Sequence, residues 1–265
     1  MKPKSFHRLT LLYHDEDHRS LPKSTDYRLF VRDLPVRENP AITPGQLRSL
    51  EARWVYDNRP RYRQEGRDRL LGSTQYTRII LGAEFATPDL FDNDFDFSRL
   101  SAHLRRRQQT LGLGISTFDL YVGAAGGTLP PQRFFAADYG KEIFFNRGAF
   151  QTFDEQTFGG DFAVSATLYH NFRRLLFTRT GWPVIRDIPF WLSVHGGLLW
   201  ADFINLTPLP GDEAGLDSDH PYSELGFGIE NLLPFLEPAN VSLHFTWQLS
   251  SYDTRGFVAL LALRL

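Results

Sequence analysis

GGTLPPQRFFAADYGKEIFFNRGAFQTFDEQTFGGDFAVSATLYHNF, residues Gly126 to Phe172, joins two stretches of alternating apolar and polar residues through a long connection rich in Gly, Pro and aromatics. Such a connection inside a compact β-fold is uncommon and tends to be functional. Beyond it the chain delivers five strand-like segments and stops on an apolar one at Leu265. This layout predicts an all-β fold: an antiparallel transmembrane outer-membrane β-barrel whose longest external loop spans about 126–159. Residues 1–265 are then the C-terminal part of one barrel domain.

The alternation is cleanest after the loop. Phe162, Val164, Ala166, Leu168 and Phe172 share one face, and Ala163, Ser165, Thr167, Tyr169 and Asn171 take the other. Val241, Leu243, Phe245, Trp247 and Leu249 alternate strictly with polar neighbours, and Phe257, Ala259, Leu261, Leu263 and Leu265 line the last strand. Trp191–Phe203 and Tyr222–Leu232 lie between them. Before the loop, Leu50, Ala52, Trp54 and Tyr56 form one apolar face, Thr77, Ile79, Leu81, Ala83 and Phe85 a second, and Leu100, Ala102 and Leu104 a third. Leu111–Ala125 reads as a strand with a bulge at Ser116–Thr117, where its apolar register shifts. Leu9, Leu11 and Tyr13 suggest a first strand ending in a polar turn, HDEDH (His14 to His18), and Tyr27, Leu29 and Val31 suggest a second. In all, the period-2 pattern gives about ten or eleven strands of barrel-spanning length.

Composition narrows the class. A net charge of −2 argues against a nucleic-acid binder. The absence of cysteine excludes disulfide frameworks and thiolate metal sites. Aromatics at 14%, with 23 Phe against one Met, suit strands better than a helical core. No apolar run is long enough for a transmembrane helix, but barrel strands need none, because only every second residue meets lipid. The first residues, MKPKSFHRLTLLYHDEDH, lack the apolar core of about 7–15 residues that marks a signal peptide. An outer-membrane protein must be exported, so the expectation is a piece of a longer chain.

A soluble β-sandwich binder would alternate in the same way with its apolar face inward. Three features favour the membrane. The polar faces mix Arg, His, Gln, Glu and Ser with Gly and Ala, as a wet or plugged lumen requires. Trp54, Tyr56, Trp200 and Trp247 sit near strand ends, where aromatic girdles belong. The chain ends on an amphipathic strand. With Leu100, Ala102 and Leu104 outward, Arg99, His103, Arg105 and Arg107 point into the lumen. If the last strand runs towards the periplasm, the 126–159 loop is external and RRLLFTRTGWPVIRD (173–187) is an inner turn.

Within the loop, Arg147, Gly148, Ala149 and Phe150, followed by Gly159–Asp161 opening the next strand, resemble the bacterial surface antigen superfamily of outer-membrane assembly and translocation barrels. In that superfamily the longest loop precedes the last five of sixteen strands and folds into the lumen with an Arg-Gly-aromatic motif; here Ala149 stands between glycine and aromatic. A closer resemblance, from about Leu50 onward, is to an uncharacterised outer-membrane family with an upstream carboxypeptidase-regulatory-like domain. It is carried by LGSTQYTRIILGAEF (71–85), FDFSRL (95–100), GGTLPP (126–131), FFNRGAF (144–150), FGGD (158–161), LYHNF (168–172) and ELGFGIENLLPFL (224–236). The resemblance implies a truncated barrel lacking earlier strands and a periplasmic front half, with no established activity. The expected partners are outer-membrane lipid and periplasmic or outer-membrane assembly proteins, and the expected location is the cell outer membrane.

No cofactor, metal or catalytic set is expected. Asp161, Glu224 and Glu230 read as lumen-facing carboxylates, with Arg147 as the partner that fixes the loop. A barrel hydrolase would need a Ser–His constellation; His170, His195 and His244 lie near Ser165, Ser193 and Ser242 at ordinary strand spacing, with no orienting third residue. HDEDH as a metal cluster, and RPRYRQEGRDR (59–69) as a lipid- or nucleic-acid-binding run, rank below solvated turns. GFGIEN (226–231) has no strand–helix context for a nucleotide fingerprint, and Gly196, Gly197, Gly226 and Gly228 read as close-packing positions. A small-solute pore is the main alternative to an assembly barrel, with a basic lumen wall giving anion preference.

Overall fold

A computed structural model describes residues 6–19, 42–59, 63–65, 68–70, 75–89, 92–110, 112–136, 145, 147–152, 159–179, 189–203, 220–233, 240–252 and 255–264. The main strands are β1 (His7–His18), β2 (Gly45–Asp57), β5 (Tyr76–Ala86), β6 (Phe97–Gln109), β7 (Ile115–Gly127), β10 (Phe162–Arg173), β11 (Trp191–Asp202), β12 (Tyr222–Glu230), β13 (Asn240–Gln248) and β14 (Phe257–Arg264). Two minor ribbons complete the set: β3 (Arg63–Glu65) with β4 (Asp68–Leu70), and β8 (Phe135–Ala136) with β9 (Gly159–Gly160). The main strands form one 10-stranded antiparallel sheet in which each pairs with its neighbours in chain order. β1 and β14 lie at its edges, so the sheet is open among the described residues. The fold is all-β and consistent with the wall of a β-barrel. No helix among the described residues is long and apolar enough to cross a membrane.

Register decides the faces. Trp54 pairs with Leu81, Leu81 with Ala102, Ala102 with Val122, Val122 with Val164, and Val164 with Trp200. Call the end where β7 leaves and β10 enters the loop end. Trp54 then lies near the far end of β2, whereas Trp200 lies near the loop end of β11. One transverse row thus climbs from one end of the sheet to the other. That cumulative stagger is the signature of tilted, barrel-forming strands.

The two faces have inverted polarity. Leu9, Leu11, Leu100, Leu198, Leu225 and Leu263 are all exposed, together with Trp200, Trp247 and Phe257 on the same face. The opposite, inner face buries Glu84, Asp119, Glu224, Glu230, His195 and His244. Its apolar core, around Leu47, Phe97, Phe135, Phe150, Leu199 and Tyr222, is confined to the loop end. Phe135 is its centre. Its ring lies edge-on to Tyr121 at 6.2 Å and beneath the Arg99 guanidinium at 4.7 Å. It also covers Gly123, where any side chain would strike it.

Three local expectations are corrected. HDEDH is no turn: β1 runs unbroken through His18, because every residue from His7 to His18 has a β2 partner. Pairing outweighs polar composition there, with His14 turned inward to Glu51 at 3.0 Å. No bulge occurs at Ser116–Thr117, since β7 pairs without slip from Ile115 to Gly127. The apolar pattern changes face because Ile115 is buried inward at the strand's start while Phe118 points out. The only irregularity in the β10 pairings lies at Asn171–Arg173. RPRYRQEGRDR contributes the β3–β4 ribbon rather than a bare turn. Within 173–187, the described part forms a short helix, α1 (Leu175–Thr178). The Tyr27–Val31 strand lies outside the described residues.

Truncating the core's centre tests its importance. Phe135→Ala is expected to cost about 3–5 kcal/mol, read from the midpoint of denaturant unfolding. A loss below about 1 kcal/mol would mean that the loop end has no cooperative core.

Candidate functional site

The described parts of the long loop lie against the inner face and are bonded to it from end to end. Near its start, Gln132 bonds the chain before β2 like a peptide partner, donating through Nε2 to Thr43 O at 3.0 Å and accepting from Thr43 N at 3.1 Å. Arg133 donates to Glu16 at 2.9 Å and stands 3.7 Å from Glu84. Glu84 also accepts from Ser49 Oγ at 2.8 Å and from Arg99 at 3.2 Å. One buried carboxylate therefore gathers charge from β6 and the loop together.

The segment Arg147–Thr152 makes the strongest contacts. Glu224, on β12, accepts from the backbone N–H groups of Gln151 at 2.9 Å and Thr152 at 3.0 Å. Thr152 Oγ1 and Tyr222 Oη each stand 3.0 Å from it and touch one another, so that this hydroxyl pair shares its two hydrogens among the three oxygen contacts. A carboxylate with this many donors uses the loop backbone as it would a helix start, through oriented N–H groups. Phe150, next to it, drops its ring over Gly197 and meets Tyr222 edge-on at 5.6 Å. A side chain at 197 would occupy the ring's place.

Arg147 reaches Glu230, at the far end of β12, at 3.3 Å. Its guanidinium lies 4.3 Å over the Tyr169 ring and donates to Tyr169 Oη at 2.9 Å. Tyr169 in turn donates to Glu230, which also accepts from Asn171 at 2.8 Å. Of the three carboxylates expected near Arg147, Glu230 is the one it meets in the hydrogen-bond and ion-pair geometry. Glu224 holds the neighbouring backbone instead. Asp161 is buried at the entrance to β10, where its carbonyl accepts from Ala125 N at 2.7 Å. Gly148 has φ +88 and passes beside Asp119 and Arg105. Asp119 accepts from Arg105 at 2.6 Å and lies 3.0 Å from His103 Nε2.

Phe145 closes the arrangement. It stacks on His244 at 3.7 Å, lies 4.7 Å from His195, and its N–H donates to Leu261 O of β14 at 3.1 Å. His195 and His244 are themselves seated over Gly226 and Gly228. Of the glycines read in sequence as close-packing positions, Gly197, Gly226 and Gly228 thus lie under rings, whereas Gly196 meets the Glu224 carbonyl and Leu225.

The sequence matches no protein-family model, and no curated protein matches it. Geometry alone carries the functional reading.

The hydrolase constellations do not assemble at the expected pairs. His195 Nε2 lies 2.8 Å from Thr246 Oγ1 rather than on Ser193. His170 meets Ser116 instead, at 2.8 Å, and its other nitrogen faces Leu113 O, not a carboxylate. No group of three metal-ligating side chains forms among the described residues. What sequence reasoning missed was the loop backbone as ligand of Glu224, and Tyr169 and Tyr222 as the bridges. The available signal was the run of inner-face glycines opposite a loop rich in Phe.

Glu224→Ala removes the acceptor of two backbone N–H groups and of the Thr152–Tyr222 hydroxyl pair, and is expected to cost about 3 kcal/mol. Limited trypsin digestion checks it: cleavage after Arg147 should become at least about tenfold faster. Gly197→Val should do the same by evicting Phe150, at a cost of about 1–3 kcal/mol. If both variants keep the wild-type cleavage rate, the loop is not held by these contacts.

Proposed function

We propose that this chain is the barrel portion of a non-enzymatic outer-membrane protein of the assembly or translocation type, with its long loop folded into the lumen. The observation that carries the reading is the inverted polarity: exposed leucines and aromatics on one face, buried carboxylates and histidines with half-buried arginines on the other. Water would not tolerate so continuous an apolar exterior on a monomer, whereas a bilayer requires it. Aromatic clusters at both ends fit interfacial girdles: His7, Trp54 and Tyr56 at the far end, Phe162 with Trp200 and Trp247 with Phe257 at the loop end. The open edges of β1 and β14 fit a wall that further strands complete, as in a larger barrel.

A solute pore is the second reading, favoured by the basic row on β6. Its arginines are largely neutralised: Arg99 by Glu84, and Arg105, with His103, by Asp119. That pairing weakens the expected anion preference, and the seated loop favours a closed resting state.

Cell fractionation with heat-shift electrophoresis of the full-length protein tests the membrane reading. A heat-modifiable band in the outer membrane is expected; a soluble, unshifted protein would overturn it. Leu198→Arg places a charge on the lipid face, at a cost of about 2–4 kcal/mol, and should reduce the inserted fraction severalfold. In planar bilayers the wild type should pass little current and Glu224→Ala clearly more. A steady wild-type current insensitive to Glu224→Ala would replace the gated assembly reading with the pore.

A further inference from the structure

The apolar outer face is interrupted at the end opposite the loop, where β6, β7 and β10 meet. Cross-strand pairing aligns Gln108, Ser116 and His170 in one outward row, and Arg106, Phe118 and Leu168 in the next. One step further towards the loop end the outward pair is Leu104 and Leu120, so the polar island lies where the apolar band stops.

Its hydrogen bonds run in one direction. His170 Nε2 is 3.3 Å from Leu113 O, and a carbonyl only accepts, so Nε2 carries the proton. Nδ1 then accepts from Ser116 Oγ at 2.8 Å, and Ser116 accepts from Thr110 Oγ1 at 2.6 Å. The Ser116 hydroxyl hydrogen is therefore committed to the imidazole. Arg106 is different. It is exposed and takes no hydrogen bond or ion pair among the described residues. A hollow of about 480 Å³ lies here, lined by Arg106, Gln108, Thr110, Ser116, Phe118 and Leu168. Its floor is polar towards the far end and apolar towards the band.

We propose that this hollow binds an anionic phospholipid. Arg106 and the Gln108 amide hold the phosphate, and Phe118 and Leu168 carry the first part of an acyl chain towards Leu104 and Leu120. An unpaired guanidinium beside a low-dielectric surface is the group that recognises phosphate best, because its planar fork presents several donors at once. The volume suits a headgroup-sized ligand. The alignment of charge with the edge of the apolar band selects a lipid over a free anion, since a free phosphate has no use for Phe118 and Leu168. The proposal rests on the membrane reading.

Native mass spectrometry of the full-length protein, delipidated and returned to mixed micelles, tests it. Phosphatidylglycerol and phosphatidylcholine are the probes, with inorganic phosphate as competitor. The wild type should retain phosphatidylglycerol over phosphatidylcholine, and millimolar inorganic phosphate should not displace it. Arg106→Gln should lower phosphatidylglycerol retention by about tenfold, while Arg179→Gln, an exposed arginine outside the hollow, should not. Heat-shifted migration of both variants confirms that they are folded. Displacement by inorganic phosphate would overturn the lipid assignment in favour of a simple anion site. Full retention by a heat-shifted Arg106→Gln protein would overturn the site itself. Loss of the heat shift and of all lipid retention in the wild type would instead be the failure of the membrane reading.

Discussion

A sheet that turns its apolar face outward leaves every charged side chain of its inner face to be satisfied from within, and here the long loop supplies much of what is needed. Glu224 is the clearest case. It sits on a strand, buried, with no cation as its chief partner; its partners are the backbone N–H groups of Gln151 and Thr152 and the paired hydroxyls of Thr152 and Tyr222. A buried carboxylate without those donors would be strongly unfavourable. The loop and the strand therefore stabilise each other: the strand gives the loop a docking point, and the loop neutralises the strand's polarity.

The same logic spreads along the inner face. Glu84 gathers Ser49, Arg99 and Arg133; Asp119 gathers Arg105 and His103 beside Gly148; Glu230 gathers Tyr169, Asn171 and Arg147. The first and third clusters join strands distant in sequence and include a residue of the loop, whereas the second bridges the consecutive strands β6 and β7. Such networks contribute less to net stability than to a unique position, because a misplaced loop leaves several buried groups unpaired at once. The apolar core at the loop end adds the complementary term, with Phe135 and Phe150 filling space over Gly123 and Gly197. Together they hold the described parts of the loop in one place.

Much of this was legible in the residues. Period-2 alternation placed Leu50, Ala52, Trp54 and Tyr56, and likewise the outward residues of β5, β6, β10 and β13, on the face where they lie. Five strands do follow the loop. Where the pattern failed, the cause was pairing. HDEDH looks like a turn by composition, yet β2 offers each of its residues a partner, and a complete ladder satisfies backbone groups that a turn would leave to water. Ile115 looked like a slipped register because an apolar residue at a strand's end can face inward without any bulge.

The sequence by itself determined the strands, their faces and the unusual length of the loop, because alternation and turn residues act over a few neighbours. A family resemblance carried by its residues also singled out Arg147 within the loop. Only the tertiary structure decided that Glu230 rather than Glu224 or Asp161 meets that arginine in the ion pair, that Glu224 binds backbone instead, and that Ser116 rather than Ser165 faces His170. Those choices depend on cross-strand register and on how the strands stagger, which sum small offsets over the whole sheet. No local pattern carries that sum.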